Sequence, residues 1–366
     1  MRRAALIYNP IAGRGRWERV LEAVLRTCRR EGFELEPVPT AAPGQATDLA
    51  GDLAREGRVE AVFALGGDGT AREVAAGLLG SRTALGILPG GTANLMALAL
   101  GLPRDPAAAA AVLCHAPARS FDAGLAGASA FLMMVSAGLD GRALAALDRG
   151  LKTRLGKTAV ALQGVREWWR YGYPEIEIVA DGEQLPPATF LAVCNIPYYG
   201  GSYRMAPGAR PDDRRFELVT FHGSGRAATL AFILGVMSGR HTRRADVSVR
   251  AVEEVIFSVP PEAGLQVDGD PIPRAGSGGS GGAAGSTSAA SSAGSLGAAS
   301  SRAERSDAAA SADLAGRPEQ AQPGEGATMV VRLAPDPLLV LAPAAPAAPA
   351  ARPAHPAHPA HPERRT

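Results

Sequence analysis

The sequence predicts an α/β protein with two domains, a parallel sheet covered by helices and then a mainly antiparallel β-sandwich with added helices. Up to about residue 115, strand-like apolar runs alternate with helical runs, which is typical of a parallel sheet. Beyond Arg119, short strand patterns crowd together instead. With 366 residues, of which 46% are hydrophobic, the chain is long enough to bury two cores.

The first domain is predicted to repeat a unit of strand, loop and helix. In the first helix, apolar residues recur at three- and four-residue steps from Trp17 to Cys28, and Gly32 follows as a stop signal. The predicted strands of this domain are 4–8, 33–38, 61–65 and 84–88. Helical segments lie between the later strands, so we expect the strands to be parallel.

The second domain is predicted from closely spaced strand patterns. These are SFDAGLA, SAFLMMVS, EIEIVADG, TFLAVCNI, RFELVTF, VEEVIFSV and GLQVDG. Turn pairs such as Asp181-Gly182 separate some of them, and helical stretches near 140–171 and 225–239 interrupt them. We therefore assign 1–118 to the α/β domain and 119–274 to the sandwich domain.

A long insertion and a tail are predicted to be disordered. Residues 275–327, beginning AGSGGSGGAAGS, are rich in Gly, Ser and Ala and cannot offset their own ordering entropy. Residues 328–343 are expected to supply the final strands of the sandwich, because a long surface insertion adds little closure entropy. In the Pro/Ala/His tail, 344–366, three histidines recur every third residue, which either permits weak metal capture or reflects composition alone; they are His355, His358 and His361.

Composition excludes several classes of protein. The net charge is only +2, so we expect no nucleic-acid partner. The three cysteines, Cys28, Cys114 and Cys194, are far apart, which argues against a disulfide framework or a zinc site and favours a reducing cytoplasm. The N-terminal apolar run is too short for a signal peptide, and no run reaches the roughly 20 residues of a spanning helix. Any membrane contact would therefore be peripheral.

The stretch LGGDGTARE predicts an anion site at the start of a helix. Thr70 and Glu73 have the spacing of a capping box, so the helix is predicted to begin at Thr70. Glycines at 66, 67 and 69 would let backbone amides approach a phosphate. Asp68 would repel phosphates unless a divalent cation stood between them, so the loop predicts Mg²⁺ with a nucleotide. The alternative is an ordinary strand-to-helix turn.

Two further loops favour the nucleotide interpretation. LPGGTAN, with Gly91, Thr92 and Asn94, again follows a predicted strand and precedes a helix, and YNPIAG makes a third such turn. Loops that follow strands of one parallel sheet lie together at its C-terminal edge, where ligands of open α/β sheets bind. The spacing is not that of a P-loop.

The motifs YNPIAG, GGDGT, LPGGTAN, FDAG, APGARPDD and VDGD occur in order along the chain. Together they resemble the diacylglycerol kinase catalytic family, which includes soluble bacterial lipid kinases, sphingosine kinases and ceramide kinases. The resemblance covers 3–273 and resumes at 328–343. It implies a phosphofructokinase-like, Rossmann-like three-layer domain that holds ATP, a β-sandwich domain, and a lipid hydroxyl in the cleft between them.

The resemblance also implies roles for individual residues. Those that would surround the nucleotide are Asn9, Gly66, Gly67, Gly69, Thr70, Gly91, Thr92 and Asn94. Asp68 and Asp122 would belong to a metal and water network, and Asp213 would be a structural Mg²⁺ ligand. Asp268 resembles the general base, with Asp68 as the competing candidate. Without the family, Asp268 would be read as part of a hairpin turn.

The sequence departs from the family pattern at three positions. Leu95 stands where the family often has Asp, Arg214 where Gly is usual, and Asp270 where the pattern ends in Glu. We expect activity with altered metal affinity. The segment LKTRLGK is expected either to face anionic headgroups or to form a solvated helix face. The segment REWWRYGYP is expected either to lie at the membrane interface or to pack Trp168 or Trp169 in the core.

The leading hypothesis is an ATP- and Mg²⁺-dependent lipid kinase of lipid metabolism, acting at the inner membrane face. It would transfer the γ-phosphate to a free hydroxyl of diacylglycerol or a related lipid. The first alternative is a soluble kinase of the NAD kinase type. The second is a catalytically weak nucleotide or lipid sensor, suggested by Leu95 and Arg214. A homodimer is compatible with the sequence.

Overall fold

The computed structural model describes residues 2–10, 17–146, 157–272 and 327–343. The predicted insertion, the histidine tail and most of the LKTRLGK segment lie outside these residues. The described helices, in chain order, are α1 Trp17–Arg30, α2 Gln45–Glu56, α3 Asp68–Leu78, α4 Leu95–Ala99, α5 Pro106–Cys114, α6 Leu139–Ala145, α7 Lys157–Arg170 and α8 Gly225–Met237. A short 3₁₀ turn, His241–Arg243, follows α8.

The strands form three six-stranded sheets and a small hairpin. The first ten are β1 Arg2–Tyr8, β2 Phe33–Pro39, β3 Ala61–Gly66, β4 Ala84–Pro89, β5 Ala118–Phe121, β6 Gly124–Ala126, β7 Ser129–Phe131, β8 Met134–Gly138, β9 Ile176–Ala180 and β10 Glu183–Ala188. The rest are β11 Phe190–Cys194, β12 Tyr198–Tyr199, β13 Tyr203–Arg204, β14 Phe216–Phe221, β15 Val247–Val252, β16 Glu254–Val259, β17 Gly264–Val267, β18 Asp270–Pro271, β19 Ala327–Leu333 and β20 Leu338–Leu341.

The first sheet is the predicted α/β sheet, with strand order β2-β1-β3-β4-β20-β5. Strands β1 to β4 run parallel, in the register expected for strands joined by helical crossovers. All six residues of β3 and of β4 are buried, as in a sheet covered on both faces. The chain reverses its direction of winding between β1 and β3, so the carboxyl ends of these strands border a crevice suited to a ligand.

The last described segment differs from the prediction. We expected both strands of 328–343 in the sandwich, but only β19 lies there, between β16 and β6. Strand β20 inserts into the first sheet, parallel to β4 and antiparallel to β5. Strand β5, which we divided between the two domains, also belongs to the first sheet. Leu338, Val340 and Leu341 are buried there, and this gain explains why the chain crosses between sheets.

The other two sheets form the sandwich. Their orders are β10-β9-β16-β19-β6-β7 and β15-β14-β11-β8-β17-β18, with antiparallel pairing throughout. Phe131 and Phe216 pack between them with ring centroids 5.4 Å apart. Helix α8 covers the outer face of the sandwich sheet that contains β14, where Phe232 stacks on Phe221 at 4.5 Å. An α/β domain with a β-sandwich is therefore confirmed as the fold.

Cys28 and Cys114 are buried neighbours in the first domain, with a sulfur–sulfur distance of 3.6 Å, and neither forms a disulfide. No helix in the described part of the chain is long and apolar enough to cross a membrane.

Candidate active site

The GGDGT loop, residues 66–70, and the PGGTAN loop, residues 89–94, pack directly against each other. The Gly90 amide donates to the Gly66 carbonyl at 2.7 Å. A Cβ atom on Gly91 would lie only 2.5 Å from the Gly67 Cα, and one on Gly66 equally close to the Thr70 hydroxyl. Side chains are therefore excluded here by close backbone approach, as the glycine pattern predicted for a phosphate loop.

Helix α3 begins earlier than the capping box predicted. Its first residue is Asp68, its N-cap is Gly67, and no side chain caps it. Thr70 therefore lies within the first turn. The physical reason is that Gly67 adopts an extended conformation, so the turn starts there and the helix amides stay open toward the loop.

Asn94 and Asp68 connect the two loops to the helices that follow them. The Asn94 side chain closes a ring on Gly91, accepting from its amide at 2.8 Å and donating to its carbonyl at 2.9 Å. Asp68 accepts from the Met96 amide at 3.3 Å. Burial raises the pKa of Asp68, and the amides of Met96, Leu95 and Asn94 oppose this effect. Gly91 and Thr92 are exposed.

Asn9 follows β1, whose neighbour β3 carries the GGDGT loop, so the three predicted loops follow adjacent strands. Residues 11–16 of the third loop are outside the described residues. The described contacts do not test the roles predicted for Asn9, Gly69 and Thr92.

Arg72 was missed in the sequence, yet it joins the two halves of the site. It donates from α3 to the Val267 carbonyl at 3.2 Å and to Asp270 at 2.7 Å. The helix that carries the GGDGT loop therefore contacts the VDGD turn, residues 267–270. The available signal for a special role of Arg72 was its position in the first half of a helix, where the macrodipole favours acidic residues.

Asp268 is the most perturbed carboxyl that has a predicted role. It is 7% exposed and accepts from the amides of Leu132, Met133 and Met134 at 2.8 to 2.9 Å. Its backbone is left-handed, with φ of 52°. Burial raises its pKa to about 6, against the lowering effect of the three amides and of Arg72. A carboxyl with this pKa is suited to accept a proton near neutral pH.

Asp122 and Asp213, the other two residues predicted for metal sites, have different partners. Both oxygens of buried Asp122 are taken by Arg214, whose amide donates at 2.7 Å and whose guanidinium donates at 3.2 Å. Asp213 accepts from the Arg215 amide at 3.1 Å. Within the described ranges, no group of three or more His, Cys, Asp or Glu side chains could hold a metal. Arg214 supplies the positive charge that a cation would bring.

A cavity of about 540 Å³ lies beside the sandwich, between helices α7 and α8 and the outer sheet face. Its walls are almost entirely apolar, with Trp168, Phe190, Phe221 and Ile233 among the lining residues. The glycine loops and the aspartates gave sequence signals for the site, whereas only REWWRYGYP pointed toward this cavity and its other apolar lining residues resemble ordinary core.

Comparisons with known proteins bear on this arrangement. Residues 3–126 match the sequence model of the diacylglycerol kinase catalytic domain. Residues 133–278 match that of the YegS C-terminal NAD kinase beta sandwich-like domain. The two matched ranges follow the α/β sheet and the sandwich, and neither includes β19 or β20.

Individual relatives point the same way. The diacylglycerol kinase of Bacillus subtilis (strain 168) is 30% identical over 274 residues, 74% of this chain and 90% of the relative. A YegS-like protein of Chromohalobacter salexigens, described as a probable lipid kinase, is 37% identical over 205 residues, 55% of this chain and 65% of the relative. The crystal structure of an inferred diacylglycerol kinase from Bacillus anthracis str. Sterne superposes with a TM-score of 0.63 at 26% identity, covering 73% and 88% of the two chains.

Fold, loops and relatives together define a phosphotransferase of the lipid kinase class. More narrowly, the chain belongs to the diacylglycerol kinase catalytic family, which confirms the resemblance carried by its motifs.

Proposed function

We propose that the protein transfers the γ-phosphate of ATP to a free hydroxyl of diacylglycerol or a closely related lipid. The observation that carries the proposal is the contact of Arg72 with Val267 and Asp270, which holds the glycine loops beside the Asp268 turn. A phosphate donor and a proton acceptor are thereby brought to one cleft, and phosphoryl transfer needs both.

The glycine loops are the proposed nucleotide site. The loops pack so closely that a Cβ on Gly66 or Gly91 would collide, and the first turn of α3 carries the open amides that bind phosphate oxygens at helix N-termini. We assign to it the eight residues named from the family, with Gly91 and Thr92 the most exposed.

Asp68 is the proposed contact for Mg²⁺ that arrives with ATP. It is a half-buried carboxylate next to the loops, which fits a hard cation with oxygen ligands. The cation would neutralise charge on the phosphates. A structural Mg²⁺ at Asp213 is not proposed, because its neighbours Asp122 and Asp212 are paired with Arg214 and Arg119 and are not free to act as further ligands.

Asp268 is the proposed general base. The lipid oxygen forms a bond to the γ-phosphorus while the bond from phosphorus to the bridging oxygen of ATP breaks, giving a lipid phosphate and ADP. The hydroxyl proton passes to the Asp268 carboxylate, whose raised pKa suits it to this transfer. The apolar cavity is the proposed site for the acyl chains.

The surface around the cavity is the proposed membrane contact. Four side chains on α7 and α8 are more than half exposed although they are large and apolar, namely Val165, Trp169, Leu234 and Met237. Arg226 stacks over Trp169 at 4.3 Å, and Arg166 and Arg170 are exposed nearby. Apolar side chains with a basic rim suit an anionic lipid surface. Thus Trp169 lies at the surface and not in the core.

A thin-layer assay tests the reaction. The full chain would be incubated with labelled ATP and Mg²⁺ and with micelles of diacylglycerol, monoacylglycerol, sphingosine, ceramide or phosphatidylglycerol. We expect a labelled product from diacylglycerol. Label on a soluble acceptor alone, or ATP binding without any product, would contradict the proposal and favour the NAD kinase or sensor alternative.

Flotation with vesicles tests the membrane contact. Leu234→Ser and Trp169→Ala should reduce binding to vesicles containing phosphatidylglycerol. Val330→Ser is the matched control, because Val330 is an exposed apolar residue on β19, in the other sheet of the sandwich. Equal binding by all variants would contradict the assignment of this surface.

A further inference from the structure

The apolar cavity has one acidic residue in its wall, and neither the family match nor the proposed reaction assigns it a role. Asp140 lies in the first turn of α6 and lines the cavity together with Leu139, Trp168 and Phe190. No Lys, Arg or His occurs among the described residues that line this cavity. Among the described lining residues, an ionised carboxylate would therefore have no cation beside it.

The two oxygens of Asp140 differ in their contacts. Oδ2 accepts from the Ser136 hydroxyl and, at 2.8 Å, from the Tyr199 hydroxyl. Oδ1 is buried without a hydrogen-bond partner in the described part of the chain. The amides of Asp140 and Gly141 lie close enough to lower its pKa, but neither has the geometry of a hydrogen bond to Oδ1. The carboxyl thus keeps unused hydrogen-bonding capacity.

Asp140 is connected to the turn that carries the proposed base. Ser136, which donates to Asp140, accepts from the Gln266 side-chain amide at 2.6 Å. The side-chain oxygen of Gln266, Oε1, in turn accepts from the Gly269 amide, also at 2.6 Å. Ser136 and Gln266 are direct partners in the β8–β17 ladder. A lipid bound at Asp140 would therefore have a fixed position relative to the turn that contains Asp268.

The protonation of Asp140 decides which ligand group it can bind. Burial raises its pKa, opposed by Ser136 and Tyr199. A buried carboxyl without a counter-charge tends to neutralise rather than remain ionised. The neutral acid has a proton to donate, whereas the carboxylate could only accept. Among lipid groups, the ester carbonyl is a neutral acceptor that lies close to the reacting hydroxyl of a glycerolipid.

We propose that Asp140, in its uncharged form, turns its Oδ1 hydroxyl toward the cavity on ligand binding, donates a hydrogen bond to an ester carbonyl of the acceptor lipid and so selects ester glycerolipids. This inference rests on the proposed function, since it concerns the acceptor of that reaction. Asp140 acts here as a specificity-determining residue and takes no part in the transfer of the phosphoryl group.

The test compares a diester with a diether of glycerol that have the same chain length, dioctanoylglycerol and dioctylglycerol. The diether has the reacting hydroxyl but no carbonyl. For the wild type we expect kcat/KM to be about tenfold higher with the diester, the size of one net hydrogen bond. Asp140→Leu should bring this ratio near one by lowering the diester value alone. Asp140→Asn, which still carries an N–H donor, should keep most of the preference.

Binding without ATP separates this inference from the proposed function. Intrinsic tryptophan fluorescence, to which Trp168 in the cavity wall contributes, would be followed during titration with each lipid. A diester preference in binding with no phosphorylation of either lipid would support the role of Asp140 and overturn the proposed function. Phosphorylation of both lipids equally, unaffected by Asp140→Leu, would overturn the inference alone. The control is Glu183→Gln, an exposed acid paired with Arg250 on the surface, which should match the wild type.

The variant Asp140→Asn also tests the protonation state. If Asp140→Asn loses the diester preference as completely as Asp140→Leu, the carboxyl does not act as a neutral donor and the inference fails. Efficient phosphorylation of sphingosine that is abolished in Asp140→Asn would likewise overturn it, because an amine requires the carboxylate. If Asp140→Leu does not fold, Asp140→Ala takes its place, because it also removes the donor and should also bring the ratio near one; an Asp140→Ala protein that keeps the wild-type ratio would overturn the inference.

Discussion

The GGDGT loop and the VDGD turn both place an Asp-Gly pair at the end of a buried strand, yet their aspartates differ in backbone conformation and in depth of burial. Asp68 begins a helix, is half-buried and accepts from Met96, 28 residues further along the chain. Asp268 adopts a left-handed backbone, is 7% exposed, and accepts from amides about 135 residues away. The same local signal therefore yields a half-buried carboxylate in one region and an almost fully buried one in the other.

The largest effect is expected at the buried member of this pair. Asp268→Asn should lower kcat by about 10³-fold or more, because the proton of the lipid hydroxyl loses its acceptor. Asp270→Asn is the control: its side chain is 57% exposed and forms an ion pair with Arg72, so a much smaller loss is expected. Labelled phosphate transfer with folding checked by circular dichroism would decide. Full activity of Asp268→Asn would remove Asp268 as the base.

The exposed region should respond to a single methyl group. Gly91→Ala would place a Cβ atom 2.5 Å from the Gly67 Cα, which forces the two loops apart. We expect ATP affinity to fall by roughly 10- to 100-fold, the range of an overpacking cost of about 1–3 kcal/mol. Calorimetric titration with ATP and Mg²⁺ measures it. Gly51→Ala, where the new Cβ meets only an ordinary 3.6 Å contact, should bind ATP normally.

The contact between the two regions can be cut without touching either aspartate. Arg72→Gln removes the ion pair with Asp270 and weakens the bond to Val267. We expect kcat to fall about tenfold while ATP affinity changes little, since the loop glycines remain in place. Arg250→Gln, which breaks an exposed ion pair with Glu183, is the matched control. A loss confined to ATP binding would contradict the bridging role.

The pH profile sharpens the difference between the two carboxyls. The pKa of Asp268 is raised to about 6, so its proton-accepting form dominates above that pH and is lost below it. We expect kcat/KM to fall about tenfold for each pH unit below about 6 and to level off above. Measurement with ATP and Mg²⁺ saturating isolates this limb. A flat profile through pH 6 would contradict the assignment of the base to Asp268.

The smallest effect is expected from chelation. Arg214 already neutralises buried Asp122, so EDTA should leave the melting temperature of the wild type unchanged. Arg214→Ala should lower the free energy of unfolding by about 1–3 kcal/mol, because a buried carboxylate loses a charged partner that is itself half exposed. Thermal melts with and without EDTA measure both. A large drop in melting temperature with EDTA would show that a metal stabilises this fold after all.

Much of the fold could be predicted because its signals are local. The four parallel strands and α1 follow from apolar periodicity, and the glycine loops follow from composition after a strand. The start of α3 was misplaced, since the extended backbone of Gly67 is not visible in a spacing of Thr70 and Glu73. Strand β20 was assigned to the wrong sheet because its apolar run fits either core equally well.

Features of the site that depend on distant residues could not be predicted. The burial of Asp268 depends on amides of another strand, and the ion pair of Arg214 depends on where the FDAG segment passes. The role of Asp140 rests on Ser136, Tyr199 and Gln266, which come together only in the folded sheet. In the sequence each of these residues belongs to an unremarkable strand or helix.

The position of strand β20 limits where the chain can be cut into separate domains. The α/β sheet is completed by a segment encoded more than 200 residues after β5, its neighbour in space. A gene fragment that ends at residue 126 would therefore yield a sheet with an open slot between β4 and β5, two exposed edges ready for self-association. Exchange of either domain between relatives therefore requires exchange of residues 327–343 as well, because β19 belongs to the sandwich and β20 to the α/β sheet.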